Sequence, residues 1–119
     1  HEKYESYNFL NNTKNILLNN GINTKKLKLF DVEKKFLIPN KSIDLVISLK
    51  SMGYHYPINI YFHLLKKVCK NKTIYIFDIS KKNQTVVKLK EIFKSVKIIR
   101  EHKLKHPLIR VCCSGFFCV

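Results

Sequence analysis

The sequence has few glycines, and this scarcity excludes one class of binding loop. Its 119 residues contain three glycines, Gly21, Gly53 and Gly115, and no two of them lie near each other. Loops that bring backbone N–H groups close to a phosphate or a dinucleotide need two or more closely spaced glycines. The chain therefore supplies no glycine-rich loop of this kind.

Cysteine pairs with metal-binding spacing are also missing. No Cys-x-x-Cys pair exists, and the adjacent Cys112 and Cys113 would point to opposite faces of a strand. A structural zinc site needs four convergent ligands, which this spacing does not supply. We predict reduced, buried thiols and no metal in a cytoplasmic protein. The four positions are Cys69, Cys112, Cys113 and Cys118.

Long apolar segments are absent as well. No run approaches the ~18 apolar residues of a membrane-spanning helix. The N-terminal segment HEKYESYN has no hydrophobic region of a signal peptide. These absences predict no membrane association. The apolar fraction of 45% is ordinary for a globular protein, so we expect one folded domain over residues 1–119.

Acidic residues and arginine are scarce, whereas lysine is abundant. The formal net charge is +15, and only two of the 23 basic residues, Arg100 and Arg110, are arginines. A basic chain attracts nucleic acid or another polyanion, but bidentate recognition of phosphates and bases favours arginine. Lysine, asparagine and isoleucine share A/T-rich codons. Two explanations of the positive charge stay open: codon bias that leaves lysines in solvent, and a true polyanion site. Because codon bias alone would give this composition, nucleic acid is the weaker expectation as a partner.

The hydrophobic pattern predicts an α/β fold. The run IDLVISL at 43–49 indicates a strand buried on both faces, and apolar stripes at helical spacing indicate amphipathic helices. Alternating strands and helices imply a mostly parallel sheet in three layers. The last two strands lie about four residues apart, which predicts a C-terminal antiparallel hairpin. The predicted helices are 4–20, 58–70 and 82–94, and the predicted strands are 26–31, 43–49, 73–79, 97–103 and 108–114.

Three segments together resemble a known family, the class I S-adenosylmethionine-dependent methyltransferases, in its C-terminal half. In that family a strand ending in an acidic residue is followed by lP-(D/N)-x-S-(F/I)-D-L-V-(I/V)-S; here Phe30-Asp31 precedes IPNKSIDLVIS at 38–48. The next helix ends in KVCKNKTI at 67–74, where the family has RVLKPGG-x-L. The loop SMGYHYP at 51–57 is similar to that of a sugar O-methyltransferase branch.

The resemblance implies a partial Rossmann-like methyltransferase fold with S-adenosylmethionine as cofactor. Asp31 and Val32 would lie beside the adenine, and Ser48 and Leu49 beside the methyl-bearing region. The family's glycine-rich loop and ribose-binding acidic residue have no counterpart in this sequence, so we expect a fragment that lacks the first strands. The intact enzyme would O-methylate a small molecule such as a sugar, and the chain alone would be inactive.

Ring-bearing residues after the central strand are candidate substrate contacts. Tyr54 and Tyr56 suit stacking on a sugar, and His55 suits general-base catalysis because imidazole titrates near neutral pH. Asp78 ends the next strand at the same predicted edge and is a further candidate for substrate binding. The alternatives are packing of the two tyrosines over the sheet edge, and capping or turn roles for Asp31 and Asp78.

Two other functions stay open. A small basic α/β module would bind nucleic acid or another polyanion through its lysines, for example Lys66, Lys67 and Lys70 on the outer face of the second helix. A pseudo-enzyme or partner-dependent domain would take its missing half from another chain. The methyltransferase interpretation instead predicts one pocket that joins Asp31, Ser48 and His55.

Overall fold

The computed structural model describes residues 10–30, 37–80, 86–103 and 105–117. The chain divides into two compact units, His1–Leu37 and Ile38–Val119. The assignment of all 119 residues to one domain stays a prediction. No helix among the described residues is long and apolar enough to cross a membrane.

In the first unit, one helix forms where the sequence predicts it. Helix α1 spans Leu10–Asn19, and the first part of the predicted helix, residues 4–9, lies outside the described residues. Gly21 follows the helix with φ +86°, a left-handed conformation that glycine adopts without a Cβ penalty. The N–H of Gly21 donates to Leu18 O at 3.1 Å and that of Ile22 to Leu17 O at 3.1 Å. This pair of bonds is a Schellman motif, which satisfies two terminal carbonyls.

The predicted strand 26–31 does not form over its described part. Thr24–Lys26 is a 3-10 turn, and residues 27–30 have no regular structure. The alternation KLKLF gives the segment an apolar side, but a strand also needs a neighbour that accepts and donates its backbone hydrogen bonds. Alternation alone does not supply that neighbour.

The second unit contains the remaining elements, and the type of each agrees with the sequence. The boundaries differ, because β2 and β3 begin directly where their preceding helices end, several residues earlier than predicted. The elements are β1 Ile43–Ser48, a 3-10 turn Ile58–Tyr61, α2 Phe62–Val68, β2 Cys69–Ile79, α3 Val86–Ile92, β3 Phe93–His102 and β4 Leu108–Phe116.

The four strands form one mixed sheet in the order β1-β2-β4-β3. Strand β1 pairs with β2 in parallel, whereas β4 is antiparallel to both β2 and β3. The predicted hairpin at one edge is therefore confirmed, but the prediction of a mostly parallel sheet is wrong. The reason is that β4 lies between β2 and β3, which turns two of the three strand pairings antiparallel.

Strand β1 lies at the other edge of this sheet, contrary to the prediction that it is buried on both faces. Leu45, Ile47 and Leu49 are 50%, 57% and 49% exposed. Their side chains are apolar, yet among the described residues β1 has a neighbouring strand on one side only. An apolar run predicts burial, but it does not say whether the chain itself supplies the second neighbour.

The core occupies the opposite face of the sheet. Alternate residues of β2, Tyr75, Phe77 and Ile79, are at most 1% exposed and belong to one buried cluster. Leu65 of α2 and Leu89 of α3 belong to the same cluster, so both helices cover the same face. The described part of this unit is thus a two-layer α/β arrangement, and the predicted third layer does not form within it, because both helices pack on one face. The partial Rossmann-like assignment stays a prediction.

Candidate functional site

The segment after β1 folds into a compact loop at the end of the sheet where β1 and β2 both finish, here called the carboxyl edge. The N–H groups of Tyr54, His55 and Tyr56 point at a single acceptor, Ser51 O, at 3.0, 2.9 and 3.2 Å. Ser48 Oγ accepts a hydrogen bond from Met52 N at 3.0 Å. The loop therefore holds its own shape through backbone hydrogen bonds.

Glycine is required at position 53 because the loop lies directly on β2. Gly53 has φ +87°, and a Cβ there would come within 3.0 Å of Phe77 Cδ2 and 3.1 Å of Asp78 O. Backbone atoms cannot move aside cheaply, so even alanine would strain this contact. The sequence pattern Gly-Tyr-His-Tyr thus combines close backbone packing with three rings held at the edge.

The end of β2 fastens the loop with side-chain and backbone hydrogen bonds. Lys50 N donates to Asp78 Oδ2 at 3.0 Å. Ser80 N donates to Gly53 O at 3.2 Å, and Ser80 Oγ donates to Tyr54 O at 3.2 Å. These bonds join residues 26 to 28 positions apart in the chain, so the loop and the carboxyl end of β2 form one structural element.

A buried ion pair lies beneath this attachment. The Asp78 carboxylate is fully buried and accepts from Arg110, with Nε at 2.7 Å from Oδ1 and Nη2 at 3.1 Å from Oδ2. The hydrogen bond that Arg110 donates to Asp78 raises the pKa of Arg110, so the guanidinium stays charged. Because both carboxylate oxygens are occupied, Asp78 positions the loop in this structure, and a direct contact with substrate stays a prediction.

Arg110 is the residue that sequence reasoning missed. It faces Asp78 as a direct partner in the antiparallel β2–β4 register. The sequence shows that arginine is rare, which singles out Arg110 and Arg100, but no local pattern gives the register of two strands that are 30 residues apart. A lone arginine on a mostly apolar strand, in a chain with acidic residues at the ends of only two predicted strands, Asp31 and Asp78, is the signal that could have suggested the pair.

The three rings of the loop differ in accessibility. His55 is exposed and Tyr56 is 52% exposed, whereas Tyr54 is partly buried. The Tyr54 and His55 rings meet edge to face, with centroids 4.9 Å apart and an angle of 88°. An exposed imidazole in edge-to-face contact with one phenol ring, with a second exposed phenol next to it in sequence, offers a general base and flat surfaces for a sugar ring.

The structure brings together most, but not all, of the predicted site residues. Ser48, Asp78 and the loop rings lie at the carboxyl edge, and Leu49 follows Ser48 with a half-exposed side chain. Asp31 and Val32 lie outside the described residues. No group of three or more metal-ligating side chains gathers anywhere in the described ranges.

Comparison of the chain with protein-family models, curated proteins and solved structures found no significant match in any of the three. The methyltransferase resemblance therefore depends on the motif at 30–57, the helix end at 67–74 and the topology of the second unit. It enters below as a proposal.

Proposed function

We propose that this chain is part of a class I S-adenosylmethionine-dependent methyltransferase that methylates an oxygen of a small molecule such as a sugar. The observation that carries the proposal is the attachment of the loop at 50–56 to the end of β2. Lys50 N bonds Asp78, and Ser80 bonds the backbone of Gly53 and Tyr54. In open α/β sheets, ligands bind outside the carboxyl ends of parallel strands, which is where this loop lies.

Methyl transfer places modest demands on protein residues. When bound, the cofactor supplies a methyl group on a sulfonium; the protein aligns the accepting oxygen and removes its proton. His55 is the proposed general base, because its imidazole is exposed at the carboxyl edge. Tyr54 and Tyr56 flank it and would hold the substrate ring by stacking. Asp78 and Arg110 keep the loop in place.

The residues of this chain fit only part of the proposed cofactor. Ser48 and Leu49 end the strand that would pass the methyl-bearing region, and the Ser48 hydroxyl already accepts a bond from Met52 N. The methionine end of the cofactor needs backbone N–H groups from a glycine-rich loop, and this sequence has none. A complete cofactor site therefore requires residues beyond these 119.

The edge position of β1 sets a condition on the proposal. In a complete sheet of this family, the strand equivalent to β1 is internal. Within the described ranges, β1 has a neighbouring strand on one side only, and its Leu45 and Ile47 are half-exposed. The proposal therefore requires that a further strand pairs there in the whole enzyme.

The test compares two sets of variants in the complete product of the reading frame that contains these residues. His55→Ala should reduce methyl transfer from S-adenosylmethionine by about 100-fold or more, with little change in stability. Lys67→Gln, on the exposed side of α2, should leave methyl transfer unchanged. If the complete product does not transfer methyl groups to any sugar or other hydroxyl compound tested, or if His55→Ala is silent, the proposal fails.

A second candidate function is binding of a nucleic acid or another polyanion. It is favoured by the net charge of +15 and by the clustering of Lys41, Lys66 and Lys70 around one cavity. If this is the function, the lysine variants and not the histidine variant lose activity. Binding to an oligonucleotide then falls steeply with added salt and with loss of lysines, while His55→Ala has no effect.

A further inference from the structure

A cavity lies at the end of the sheet opposite the candidate site, where α2 meets β2. It has a volume of about 220 Å³. Its walls combine lysine side chains with aromatic rings, and neither the proposed methyl transfer nor the loop at 50–56 uses it. Its lining residues are Lys41, Lys66, Cys69, Lys70, Asn71, Tyr75, Phe116 and Phe117.

The apolar floor of the cavity is rigid. Tyr75 and Phe116 pack edge to face with centroids 5.2 Å apart, and Phe93 lies 4.6 Å from Phe116 behind them. Tyr75 is 1% exposed and belongs to the main core cluster. Tyr75 therefore supports the floor from within the core, and the partly exposed Phe116 ring offers its surface to an apolar ring of a ligand.

The positive charges at the rim are held in place by the chain. The Lys66 ammonium lies 5.8 Å from the centroid of the Phe116 ring and 6.0 Å from that of Phe62. Lys41 Nζ donates to Lys66 O at 3.0 Å. Lys70 Nζ pairs with the exposed Asp44 at 2.5 Å. Asp44 neutralises the charge of Lys70, whereas Lys41 and Lys66 have no carboxylate partner among the described residues, so the rim keeps two positive charges.

Carbonyl groups at the end of α2 do not offset this charge, because the chain itself caps them. Lys41 N donates to Lys67 O at 3.1 Å, and Ser42 N donates to Val68 O at 2.8 Å. Cys69 N donates to Leu65 O. The partial negative charge of the helix C-terminus is therefore compensated within the protein.

The Tyr75 hydroxyl supplies a second, independent indication of a ligand. It is the buried side-chain polar atom that has no hydrogen-bond partner in the part of the chain the structure describes. Burial, and secondarily the neighbouring Cys69 thiol, raises the pKa of Tyr75, so its proton stays on at neutral pH. A thiol is a weak hydrogen-bonding group, and a protonated phenol without a strong acceptor is costly in a core.

From these observations we propose that the cavity binds a small phosphate monoester carried on an apolar ring. Lys66 and Lys41 donate hydrogen bonds to the phosphate oxygens, and the Phe116 ring packs against the apolar part. The Tyr75 hydroxyl donates a further hydrogen bond to the ligand. The volume of the cavity suits a one-ring ligand, because sites for drug-sized molecules begin at about 300 Å³. This site is separate from the proposed methyltransferase site, and its test does not depend on methyl transfer.

The probe is phenyl phosphate, titrated into the chain at low salt by calorimetry or by NMR shift changes. We expect a dissociation constant below ~1 mM and affinity at least about tenfold greater than for inorganic phosphate or phenol alone. Equal affinity for phenyl phosphate and inorganic phosphate would mean that the apolar floor takes no part, and it overturns the proposal.

Two variants of α2 form a matched pair. Lys66→Gln should weaken phenyl phosphate binding about fivefold, whereas Lys67→Gln removes the same charge from the same helix but does not line the cavity, and should change affinity less than about twofold. Equal effects of the two variants would indicate a general attraction to basic charge and refute the site.

Tyr75→Phe separates ligand binding from folding. It removes only the hydroxyl, so stability should stay the same or rise, because a buried group without a partner is lost. Affinity for phenyl phosphate should fall about threefold to tenfold if the hydroxyl donates to the ligand. Unchanged affinity, or tighter binding of a single-stranded oligonucleotide with a steep salt dependence, contradicts the proposed ligand class.

Discussion

Arg110 and Asp78 face each other across β4 and β2 as direct cross-strand partners, with Arg110 Nε 2.7 Å from Asp78 Oδ1. Asp78 is fully buried, and its second oxygen also accepts a hydrogen bond from the N–H of Lys50. Lys50 is the first residue of the loop at 50–56, two positions after the end of β1. The Asp78 carboxylate therefore connects β2, β4 and the loop at 50–56. Its buried charge is tolerated because a guanidinium and a backbone N–H compensate it.

Removal of the guanidinium should be costly. Arg110→Met leaves the buried Asp78 carboxylate without its guanidinium, while Lys50 N still donates to it. Removing one partner of a buried pair is strongly destabilising, so the loss should exceed that of an exposed ion pair, although water at the partly exposed Arg110 side chain reduces it. Urea unfolding at pH 7 measures the change.

The matched control for this pair is the exposed ion pair of Lys70 and Asp44, whose side chains are 46% and 78% exposed. Asp44→Asn should change the free energy of unfolding by less than about 1 kcal/mol. If Arg110→Met costs no more than Asp44→Asn, Asp78 is not held as the structure indicates.

A methyl group at position 53 should destabilise the second unit. Gly53→Ala combines a φ of +87° with a Cβ that would lie 3.1 Å from the backbone oxygen of Asp78, and we expect a loss of about 2–3 kcal/mol. Gly115→Ala is the comparison: its φ is +71°, but the nearest atom to the new Cβ would be Lys94 Cβ at 3.3 Å, a looser contact than those at Gly53 and one that involves no backbone atom. Gly115→Ala should lower the free energy of unfolding in urea by at least 1 kcal/mol less than Gly53→Ala does. Equal losses for the two variants would show that the loop does not pack on β2.

The sequence predicts local structure well and relations between distant strands poorly. The amphipathic stripe of α2 and the glycine after α1 depend on nearby residues, and both appear in the structure. The position of β4 between β2 and β3 depends on a choice that the short hairpin leaves open, since either strand of a hairpin can join the sheet. The strand predicted at 26–31 failed for the same reason: alternation marks a face but not a partner.

The same distinction applies to the site. The position of Tyr54, His55 and Tyr56 in a loop after a strand follows from the local sequence, because strands of α/β sheets end in loops. The pairing of Asp78 with Arg110 depends on strand register, which 30 intervening residues do not encode locally. The cavity beside Tyr75 was missed because Lys66 and Lys70 look like solvated residues on an amphipathic helix.

The buried thiol of Cys113 should make stability depend on alkaline pH. Burial, with a smaller contribution from Cys112, raises the pKa of Cys113 from its ordinary value of 9.0 to about 12. Between these values the unfolded chain loses the thiol proton while the folded chain keeps it. The contribution is fully present below pH 9 and is lost as the pH rises toward 12, at about 1 kcal/mol per pH unit.

Urea unfolding at pH 8 to 10.5 under reducing conditions measures this loss. Cys113→Ala lowers stability at every pH because it leaves a small cavity, but its decline between pH 9 and 10.5 should be shallower than that of the unmodified chain. Parallel curves for the two proteins would show that Cys113 is not buried as a protonated thiol.

The last prediction concerns the affinity of these 119 residues for S-adenosylmethionine. The chain offers strand-end contacts at Ser48 and Leu49, but it has no pair of neighbouring glycines whose backbone could approach the methionine end. We therefore expect a dissociation constant weaker than ~1 mM by titration calorimetry. Ser48→Ala, which removes the acceptor for Met52 N, should alter loop stability without creating measurable affinity. Micromolar binding by the chain alone would show that it holds a complete cofactor site, contrary to the proposal that further residues are needed.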